Sequence, residues 1–384
     1  MRRVKLFNEP NQGSELTKAL IAIDSFKQSF TSLAAGEIVA QQFVQAGIPS
    51  TAVAIADGGE GTVAAFLHNK AGGEKIVRPV HDPYGKLVQA EFGWYPAEKL
   101  AIIETAAASG IQFVQPAATY QLASSQGTGE LLRAAIELGA QRVIVGLGGS
   151  GTVDAGVGLL AALGARFLDA AGQQIAQPLA HLAEIDAIDT ESVMTKGVTL
   201  LSASDVTSPL TGENGAVQLF GPQKGLTGSA AVELEQQFTQ LAQRLDPQQQ
   251  GQVAGDGAAG GIGFALRLIG SQVHSGFDLI AQVCQFEQLV QAADVVITGE
   301  GQIDAQSLQG KVPVKIAQIA QRQHKPCLAF VGNQVGDLAA FQAHGLTSIF
   351  PIVDHVTTLQ QALVDGKMNL ARAAQRVAAV LTLV

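Results

Sequence analysis

The sequence predicts an α/β fold in which both chain ends form one three-layer domain and the middle forms an inserted second α/β domain. Near the start, two apolar runs flank a segment with helical spacing, which is the pattern of a β-α-β unit. Near the end, apolar runs and helical segments alternate in the same way. Between these regions the pattern changes to alternating segments that are typical of antiparallel hairpins.

Each terminal run is almost continuously apolar, as expected for parallel strands covered by helices on both faces. The predicted strands at the chain ends are ALIAID (19–24), TAVAIA (51–56), DVVITGEG (294–301), PCLAFVG (326–332) and TSIFPIV (347–353). Helices are predicted from the spacing of Ala35, Val39 and Phe43, over 312–322, near 337–344 and at the chain end.

The middle of the chain predicts hairpins over 75–103 with a turn at Asp82–Gly85, followed by a helix over 129–138. The Gln- and Gly-rich stretch at 246–261 predicts a loop that links elements or binds a ligand. We therefore predict these boundaries: a poorly ordered extension over 1–18, a discontinuous domain over 19–65 and 286–384, and an inserted domain over 66–285.

Composition excludes several classes of protein. The 33 acidic residues outnumber the 24 basic ones, and the resulting net charge of -9 disfavours nucleic acid as a partner. Two cysteines without a C-x-x-C pair fit a reducing compartment, so we expect a cytoplasmic protein. The most apolar run, 143–163, is Gly-rich and contains Asp154, and the basic first residues lack an apolar core. We therefore expect neither a membrane span nor a secretory signal.

The stretch RVIVGLGGSG matches a dinucleotide fingerprint, because Gly146, Gly148 and Gly151 follow a predicted strand in G-x-G-x-x-G spacing. An NAD-dependent oxidoreductase is therefore one interpretation. Asp154 argues against it, since a carboxylate at the start of the next helix would repel a pyrophosphate. It fits a helix N-cap or a metal ligand instead. Asp169, at the end of the next apolar segment, reads as a turn residue.

Four predicted strands are followed by carboxylates, where open α/β sheets bind their ligands. These carboxylates are Asp24, Asp57, Asp205 and the pair Glu300 and Asp304. Phosphoryl transfer needs such residues, because carboxylates hold Mg²⁺ against nucleotide phosphates and one of them accepts the hydroxyl proton. Simple turn formation or helix capping is the alternative for each acid, and solvent exposure is the alternative for the nearby lysines.

Gly310 and Lys311 resemble the end of a P-loop. Val312 stands where a P-loop has Ser or Thr, and the preceding glycine spacing is wrong. We therefore exclude a Walker motif.

Nine segments, in this order, closely resemble the glycerate kinase family of bacterial glycerate and glucarate breakdown. They are IDSFK, ADGGEGT, ETAAASG, GTGELLRAA, GLGGSGTVDAG, SDVTSPLTGENGA, FGPQKG, GAAGGIG and TGEGQIDAQSLQGKVP. The resemblance covers roughly 20–384. It implies a Rossmann-like domain formed from both chain ends, an inserted domain, and an active site in the cleft between them.

The resemblance also implies ATP-dependent, Mg²⁺-assisted phosphorylation of D-glycerate. The product is usually 2-phosphoglycerate in this bacterial branch, and 3-phosphoglycerate is the other known outcome. The turn at 146–151 is then a phosphate- or glycerate-binding loop. A non-catalytic sugar-acid sensor on the same scaffold is a further alternative, although no helix-turn-helix or basic segment supports it.

The site predicted from the residues and the resemblance together has three parts. The catalytic candidates are Asp205, Asp24, Lys27 and Lys311, with the base left open between Asp205 and Asp24. The substrate- and phosphate-binding candidates are Ser25, Gly58, Gly59, Gly148, Gly149, Ser150, Thr152, Lys224, Gly260 and Gly261. The metal candidates are Asp57, Glu300 and Asp304. We expect a monomer or homodimer that uses ATP and D-glycerate.

Two positions depart from the family pattern. Val153 stands where Asn is frequent, which removes any polar role for that side chain. Asp256 stands where a small residue is usual, and we expect it to alter contacts to nucleotide or substrate.

Overall fold

The structure is a computed structural model that describes residues 17–114 and 123–383. Residues 1–16 of the predicted extension lie outside this range. The strands are β1 (Ala19–Ile21), β2 (Ser50–Ala52), β3 (Glu74–His81), β4 (Leu87–Tyr95), β5 (Leu100–Glu104), β6 (Arg142–Gly146), β7 (Arg166–Leu168), β8 (Ala187–Asp189), β9 (Thr199–Ala203), β10 (Gln272–His274), β11 (Val295–Ile303), β12 (Cys327–Gln334) and β13 (Ser348–Pro351).

The α-helices fall between these strands and at the chain end. They are α1 (Ser32–Gln45), α2 (Thr62–Asn69), α3 (Thr105–Ser109), α4 (Gln126–Glu137), α5 (Val157–Ala162), α6 (Ala216–Phe220), α7 (Gly228–Leu245), α8 (Ile262–Leu268), α9 (Gly276–Val283), α10 (Phe286–Ala292), α11 (Val312–Arg322), α12 (Leu338–Gln342), α13 (Leu359–Val364) and α14 (Gly366–Leu381). None of these helices is long and apolar enough to cross a bilayer.

The chain divides into two compact units. The terminal unit contains the residues up to Val53 and those from Glu287 onward, and the middle unit is Ala54–Phe286. Residues 54–65 belong to the middle unit because α2 packs on β4 and β5. The sequence-based boundary at residue 65 stays a prediction.

The terminal unit contains a five-stranded parallel sheet in the order β13-β12-β11-β1-β2. Ala19 pairs with Val295 on one side and with Ser50 on the other, so the first strand lies between the two halves of the unit. The predicted parallel β-α-β unit at the start of the chain is thereby confirmed. The helix predicted over 312–322 is also confirmed by α11.

Both faces of this sheet are buried. Successive side chains of a strand point to opposite faces, and Ile21, Ile297 and Phe330 lie in a core shared with α1 and α14. Their neighbours Leu20 and Val296 are equally buried but lie outside that core. Helices therefore cover two faces, which is the reason that the terminal strands read as continuous apolar runs.

The middle unit contains a six-stranded mixed sheet in the order β10-β9-β6-β5-β4-β3. The strands β5, β6, β9 and β10 are parallel, whereas β3, β4 and β5 form antiparallel pairs. The predicted turn is present, since the Gly85 amide donates to the Asp82 carbonyl at 3.1 Å. The α/β class predicted from the sequence is confirmed in both units.

The strand predicted over 294–301 is longer than expected. Glu300, which we predicted to follow this strand, lies within β11, which continues to Ile303, with Glu300 paired to Val331 and Gln302 to Asn333. The glycines of TGEGQ permit this pairing, because a Cβ on Gly299 would lie 2.0 Å from the Phe330 carbonyl oxygen. The candidate acids are therefore fixed on or beside a paired strand.

Candidate active site

The terminal unit places three predicted residues, Glu300, Asp304 and Lys311, in one polar group together with Ser307. We call this group the acid–lysine cluster. The Lys311 Nζ lies 3.7 Å from Glu300 Oε2 and 3.8 Å from Asp304 Oδ1. The Ser307 hydroxyl donates to Glu300 Oε1 at 2.8 Å. The cluster forms because β11 ends at Ile303 and α11 begins at Val312, with Lys311 at its N-cap position.

The two acids of this cluster differ in environment. Burial raises the pKa of Glu300, and the Ser307 hydroxyl and the Lys311 charge oppose that shift. The Gln302 amide, helped by the Lys311 charge, lowers the pKa of the more exposed Asp304. Asp304 also caps the following turn, because its Oδ1 accepts from the Gln306 and Ser307 amides. A structural role for Asp304 therefore accompanies any role in binding.

The loop after β1 lies at the same end of the terminal sheet. The Asp24 amide donates to the Gly299 carbonyl at 2.9 Å, and the Ser25 amide donates to Asp24 Oδ1. A Cβ on Gly301 would lie 3.6 Å from the Lys27 backbone nitrogen. The structure therefore brings the D-S-F-K loop next to the strand that carries Glu300.

The middle unit brings together three of the predicted loops. The Gly148 amide donates to the Gly58 carbonyl at 2.9 Å, and the Leu147 amide donates to the Ala203 carbonyl at 3.1 Å. Gly58 has a φ of +88°, and a Cβ there would lie 2.2 Å from the Ala203 carbonyl oxygen. The loops that carry Asp57, the glycine-rich turn and Asp205 therefore converge, and glycine is required for that close approach.

A buried lysine holds the glycine-rich turn in place through two hydrogen bonds. Lys224 is 3% exposed, and its Nζ donates to Ser150 Oγ at 2.9 Å and to the Thr152 carbonyl at 2.8 Å. Burial lowers the pKa of Lys224 to about 7, and the charge of Asp154 opposes the shift. Lys224 therefore contacts the predicted binding loop itself, and its role in phosphate binding stays a prediction.

Further glycines allow the 255–261 loop to pack on the same turn. The Ala155 amide donates to the Gly260 carbonyl at 3.1 Å, and a Cβ on Gly260 would lie 1.9 Å from the Thr152 carbonyl oxygen. Gly261 and Gly149 both adopt positive φ angles, +97° and +71°. Every middle-unit binding residue predicted from the sequence therefore lies in or against these packed loops.

Asp154 explains why this turn differs from a dinucleotide site. The carboxylate is fully buried and accepts hydrogen bonds from the Gly156 and Gly158 amides at the start of α5. It also accepts from the Ser125 amide at 2.7 Å and from the Ser125 hydroxyl at 2.8 Å. Burial raises the pKa of Asp154 against these bonds. The carboxylate thus fills the helix start that a pyrophosphate would need, although the N-cap residue of α5 is Gly156 and not Asp154, because Asp154 stands two residues earlier.

The two departures from the family pattern have structural roles. Val153 is 3% exposed and belongs to the apolar core of the middle unit. Asp256 is 2% exposed and forms a bidentate ion pair with Arg267 at 2.7 and 2.8 Å. Arg267 Nη2 also donates to Asp246 Oδ2 at 2.6 Å. Asp256 therefore anchors the 246–261 loop. Asp169 also has the predicted turn role, since its carboxylate accepts from the Ala171 and Gln173 amides.

Sequence reasoning missed two serines. Ser307 connects the acids of the acid–lysine cluster, and Ser125 holds Asp154, yet neither stands next to a glycine or at the end of an apolar run. The only indication for Ser307 was its place three residues after Asp304, in the spacing of a capped turn. Partners that lie 29 residues apart, such as Ser125 and Asp154, leave no local pattern.

Carboxylates and a lysine at a strand end of the parallel sheet, with glycine-rich loops at strand ends of the mixed sheet, are typical of an α/β phosphotransferase. The comparison with protein families makes this specific. The model of the glycerate kinase family matches residues 19–382. The chain therefore belongs to the glycerate kinase family and is an enzyme of that class.

Curated relatives cover almost the whole chain. It is 36% identical to "Glycerate 2-kinase" of Escherichia coli (strain K12), over 95% of this chain and 98% of the relative. It is 40% identical to "Glycerate kinase" of Haemophilus influenzae, over 95% and 98% of the two chains. None of these matches supports an NAD-dependent oxidoreductase.

A solved structure has the same fold. The crystal structure of putative glycerate kinase 2 from Salmonella typhimurium LT2 matches with a TM-score of 0.81 and 37% identity. The match covers 96% of this chain and 99% of that chain. The α/β fold class predicted from the sequence is therefore confirmed by a second, independent comparison.

Proposed function

We propose that this enzyme transfers the γ-phosphoryl group of ATP to a hydroxyl of D-glycerate and gives 2-phosphoglycerate rather than 3-phosphoglycerate. Membership of the glycerate kinase family carries the proposal. The name "Glycerate 2-kinase" of a relative that is 36% identical supports the position of the phosphate.

The reaction exchanges one P–O bond for another. The glycerate hydroxyl oxygen bonds to the γ-phosphorus, the bond from that phosphorus to the β–γ bridging oxygen breaks, and ADP leaves with the electron pair. The hydroxyl proton passes to a carboxylate of the enzyme. Little covalent chemistry falls to the protein, so positioning and charge stabilisation carry most of the catalysis.

Lys311 is the best candidate for stabilising the transferred group. Its ammonium is 40% exposed, and it lies 3.7 Å from the nearest carboxylate oxygen, which is longer than a direct hydrogen bond. An ammonium with this freedom can move onto a phosphate. Lys224 is less suitable for that role, because two hydrogen bonds and near-complete burial hold its ammonium inside the middle unit.

Glu300 and Asp304 are the residues that would hold Mg²⁺, with Asp57 as a further candidate. Neither unit, over the residues described, gathers three His, Cys or acidic side chains that could hold a metal alone. This fits Mg²⁺, which usually takes one or two carboxylates together with waters and substrate phosphates. Glu300 Oε2 faces Lys311 Nζ at 3.7 Å, which is longer than a direct hydrogen bond. The ion would neutralise charge on the ATP phosphates.

Glycerate needs donors for its carboxylate. The backbone amide of Gly149 and the Lys27 ammonium are suited to this role, since glycines let a ligand approach the backbone closely. The Thr152 hydroxyl is buried without a hydrogen-bond partner among the described residues, so it is a further candidate. Ser25, which follows Asp24, and the Gly58–Gly59 turn, which follows Asp57, would contact phosphate.

The base is Asp205 or Asp24, and Asp205 is the first to test. Asp205 is exposed and follows β9, whereas Asp24 is half-buried. Replacing Asp205 by Asn should lower kcat by at least about 100-fold if it accepts the proton. Steady-state kinetics with D-glycerate measure this, and Asp24→Asn is the matched variant. Near-normal turnover of Asp205→Asn would assign the proton to the other acid.

One assay tests the whole proposal. Coupled detection of ADP should show release that requires D-glycerate, with little release when the acceptor is omitted or when L-glycerate replaces it. Phosphorus NMR of the product should show 2-phosphoglycerate. Binding of glycerate without ADP release would indicate the sensor, and thermal stabilisation by NAD but not by Mg·ATP would indicate the oxidoreductase.

The proposal includes a cytoplasmic location and a monomeric or homodimeric state. Both cysteines, half-buried Cys284 and buried Cys327, are free thiols, which supports a reducing compartment. Light scattering after size-exclusion chromatography measures the oligomeric state, and a mass above that of a dimer would contradict this part.

A further inference from the structure

Ser307 lies at the centre of the acid–lysine cluster and is completely buried. Its hydroxyl donates to Glu300 Oε1 at 2.8 Å and accepts from the Asp304 amide at 3.1 Å. A serine hydroxyl has one hydrogen, and here the Asp304 amide already faces the oxygen as a donor. The hydroxyl hydrogen is therefore directed to Glu300, so Ser307 is the donor and Glu300 the acceptor in this hydrogen bond.

The backbone of Ser307 connects the same groups. Its amide donates to the Asp304 carbonyl at 2.9 Å and approaches Asp304 Oδ1 at 3.2 Å. Its carbonyl accepts from the Gly310 amide at 3.3 Å and from the Lys311 amide at 3.2 Å. One buried residue thus joins the end of β11 to the start of α11, and it connects the three predicted site residues of the acid–lysine cluster, Glu300, Asp304 and Lys311.

The arrangement separates the two oxygens of Glu300. Oε1 is held by Ser307, and Oε2 lies toward Lys311. A carboxylate on a flexible stem would otherwise sample several rotamers, and ordering a long side chain costs conformational entropy. A hydrogen bond from a buried hydroxyl that is itself fixed by the backbone supplies that order before any ligand binds.

We propose that Ser307 is a positioning residue, which orients the Glu300 carboxylate and the Lys311 segment for the metal–nucleotide complex without touching substrate. The inference rests on the proposed function, since it takes Glu300 and Lys311 as the groups that meet Mg·ATP. Its basis is the set of contacts within the terminal unit. Outer-shell partners of ligating carboxylates typically change affinity or activity by about 10- to 100-fold when removed.

The test uses the full chain and three variants at this position. Ser307→Ala removes the hydroxyl, Ser307→Cys keeps a similar volume but donates only weakly, and Ser307→Thr retains the hydroxyl. The matched control is Ser50→Ala, in the same unit, because the Ser50 hydroxyl donates to a backbone carbonyl, that of Ile48, and not to a carboxylate of the cluster. Kinetics with D-glycerate give kcat and KM, and electron paramagnetic resonance titrates Mn²⁺ in the presence of ADP.

Ser307→Ala and Ser307→Cys should weaken Mn²⁺ binding to the ADP complex and lower kcat/KM for ATP, each by about 10- to 100-fold. KM for glycerate should change little. Ser307→Thr should recover most of both losses, and Ser50→Ala should match the wild type. Circular dichroism and thermal unfolding establish that the compared proteins are folded.

Wild-type Mn²⁺ affinity and kinetics in Ser307→Ala would overturn the inference. Equal losses for ATP and glycerate that follow the folded fraction would also overturn it, because they would indicate a purely structural serine. If the wild type releases no ADP with glycerate, the proposed function fails, and the Mn²⁺ titration still decides the role of Ser307.

Discussion

Each unit contains a lysine whose surroundings include acidic side chains, and the two lysines differ in how deeply they are buried. Lys311 is 40% exposed, and its ammonium lies 3.7 to 3.8 Å from Glu300 and Asp304. Lys224 is 3% exposed, and its ammonium donates two short hydrogen bonds to Ser150 and Thr152. Asp154 in turn is fully buried and accepts bonds from backbone amides and from Ser125.

The difference separates two uses of charge. In the terminal unit, long contacts and exposure suit Lys311 to the phosphate contact that we propose. In the middle unit, the buried Lys224 and Asp154 hold the glycine-rich loop in place through hydrogen bonds. An exposed ion pair contributes little stability, whereas buried charges that lose their partners are costly. Mutations in the two units should therefore affect different measurements.

The largest effect should be on stability, in the middle unit. Arg267→Met leaves Asp256, which is 2% exposed, without its bidentate partner. Removing one member of a buried pair costs about 3 to 5 kcal/mol. Urea denaturation should show this loss in the free energy of unfolding. Arg133→Met, which removes an exposed pair with Glu137 in the same unit, should cost less than about 1 kcal/mol. Similar losses of unfolding free energy in both variants would contradict the distinction between buried and exposed ion pairs.

The next effect should be on activity, in the terminal unit. Lys311→Met should lower kcat/KM by about 100-fold or more, as expected when a donor to developing charge is lost. The melting temperature should stay near that of the wild type, since exposed pairs are worth about 0 to 1 kcal/mol. Initial rates of ADP release and a thermal melt measure the two quantities. Lys367→Met, at an exposed position of α14, is the control. A large loss of stability with normal turnover would reverse the roles assigned to the two lysines.

The third effect is a dependence of stability on pH, which over a single pH unit is smaller than the other two. Burial lowers the pKa of Lys224 from 10.5 to about 7. Between these values the unfolded chain holds a proton that the folded chain has released, so the contribution of Lys224 to stability rises with pH. Relative to Lys224→Met, the wild type should gain up to about 1.4 kcal/mol per pH unit in this window.

Denaturation of both proteins at several pH values from 7 to 10 checks this result. Parallel curves for Lys224→Met and the wild type would show that the folded protein keeps the proton on Lys224.

Local patterns predicted much of this molecule. The apolar runs at 19–24 and 294–301 predicted buried parallel strands, and the spacing over 312–322 predicted α11. Asp154 after Gly151 was enough to question a dinucleotide site, because the repulsion between a carboxylate and a pyrophosphate at a helix start does not depend on the rest of the fold. The end of β11 was missed, since its last residues pair through glycines and polar side chains rather than an apolar run.

The sequence by itself determined the α/β class, the alternation of strands and helices, and the strand ends where acids and lysines stand. These properties follow from hydrophobic periodicity and turn chemistry, which act over a few residues. Only the tertiary structure decided which charged side chains are buried and hydrogen-bonded and which are exposed. The Lys224–Ser150 bond joins residues 74 positions apart, and the Ser125–Asp154 bond joins residues 29 apart. Burial and desolvation depend on such distant partners, so no local pattern distinguishes the buried lysine from the exposed one.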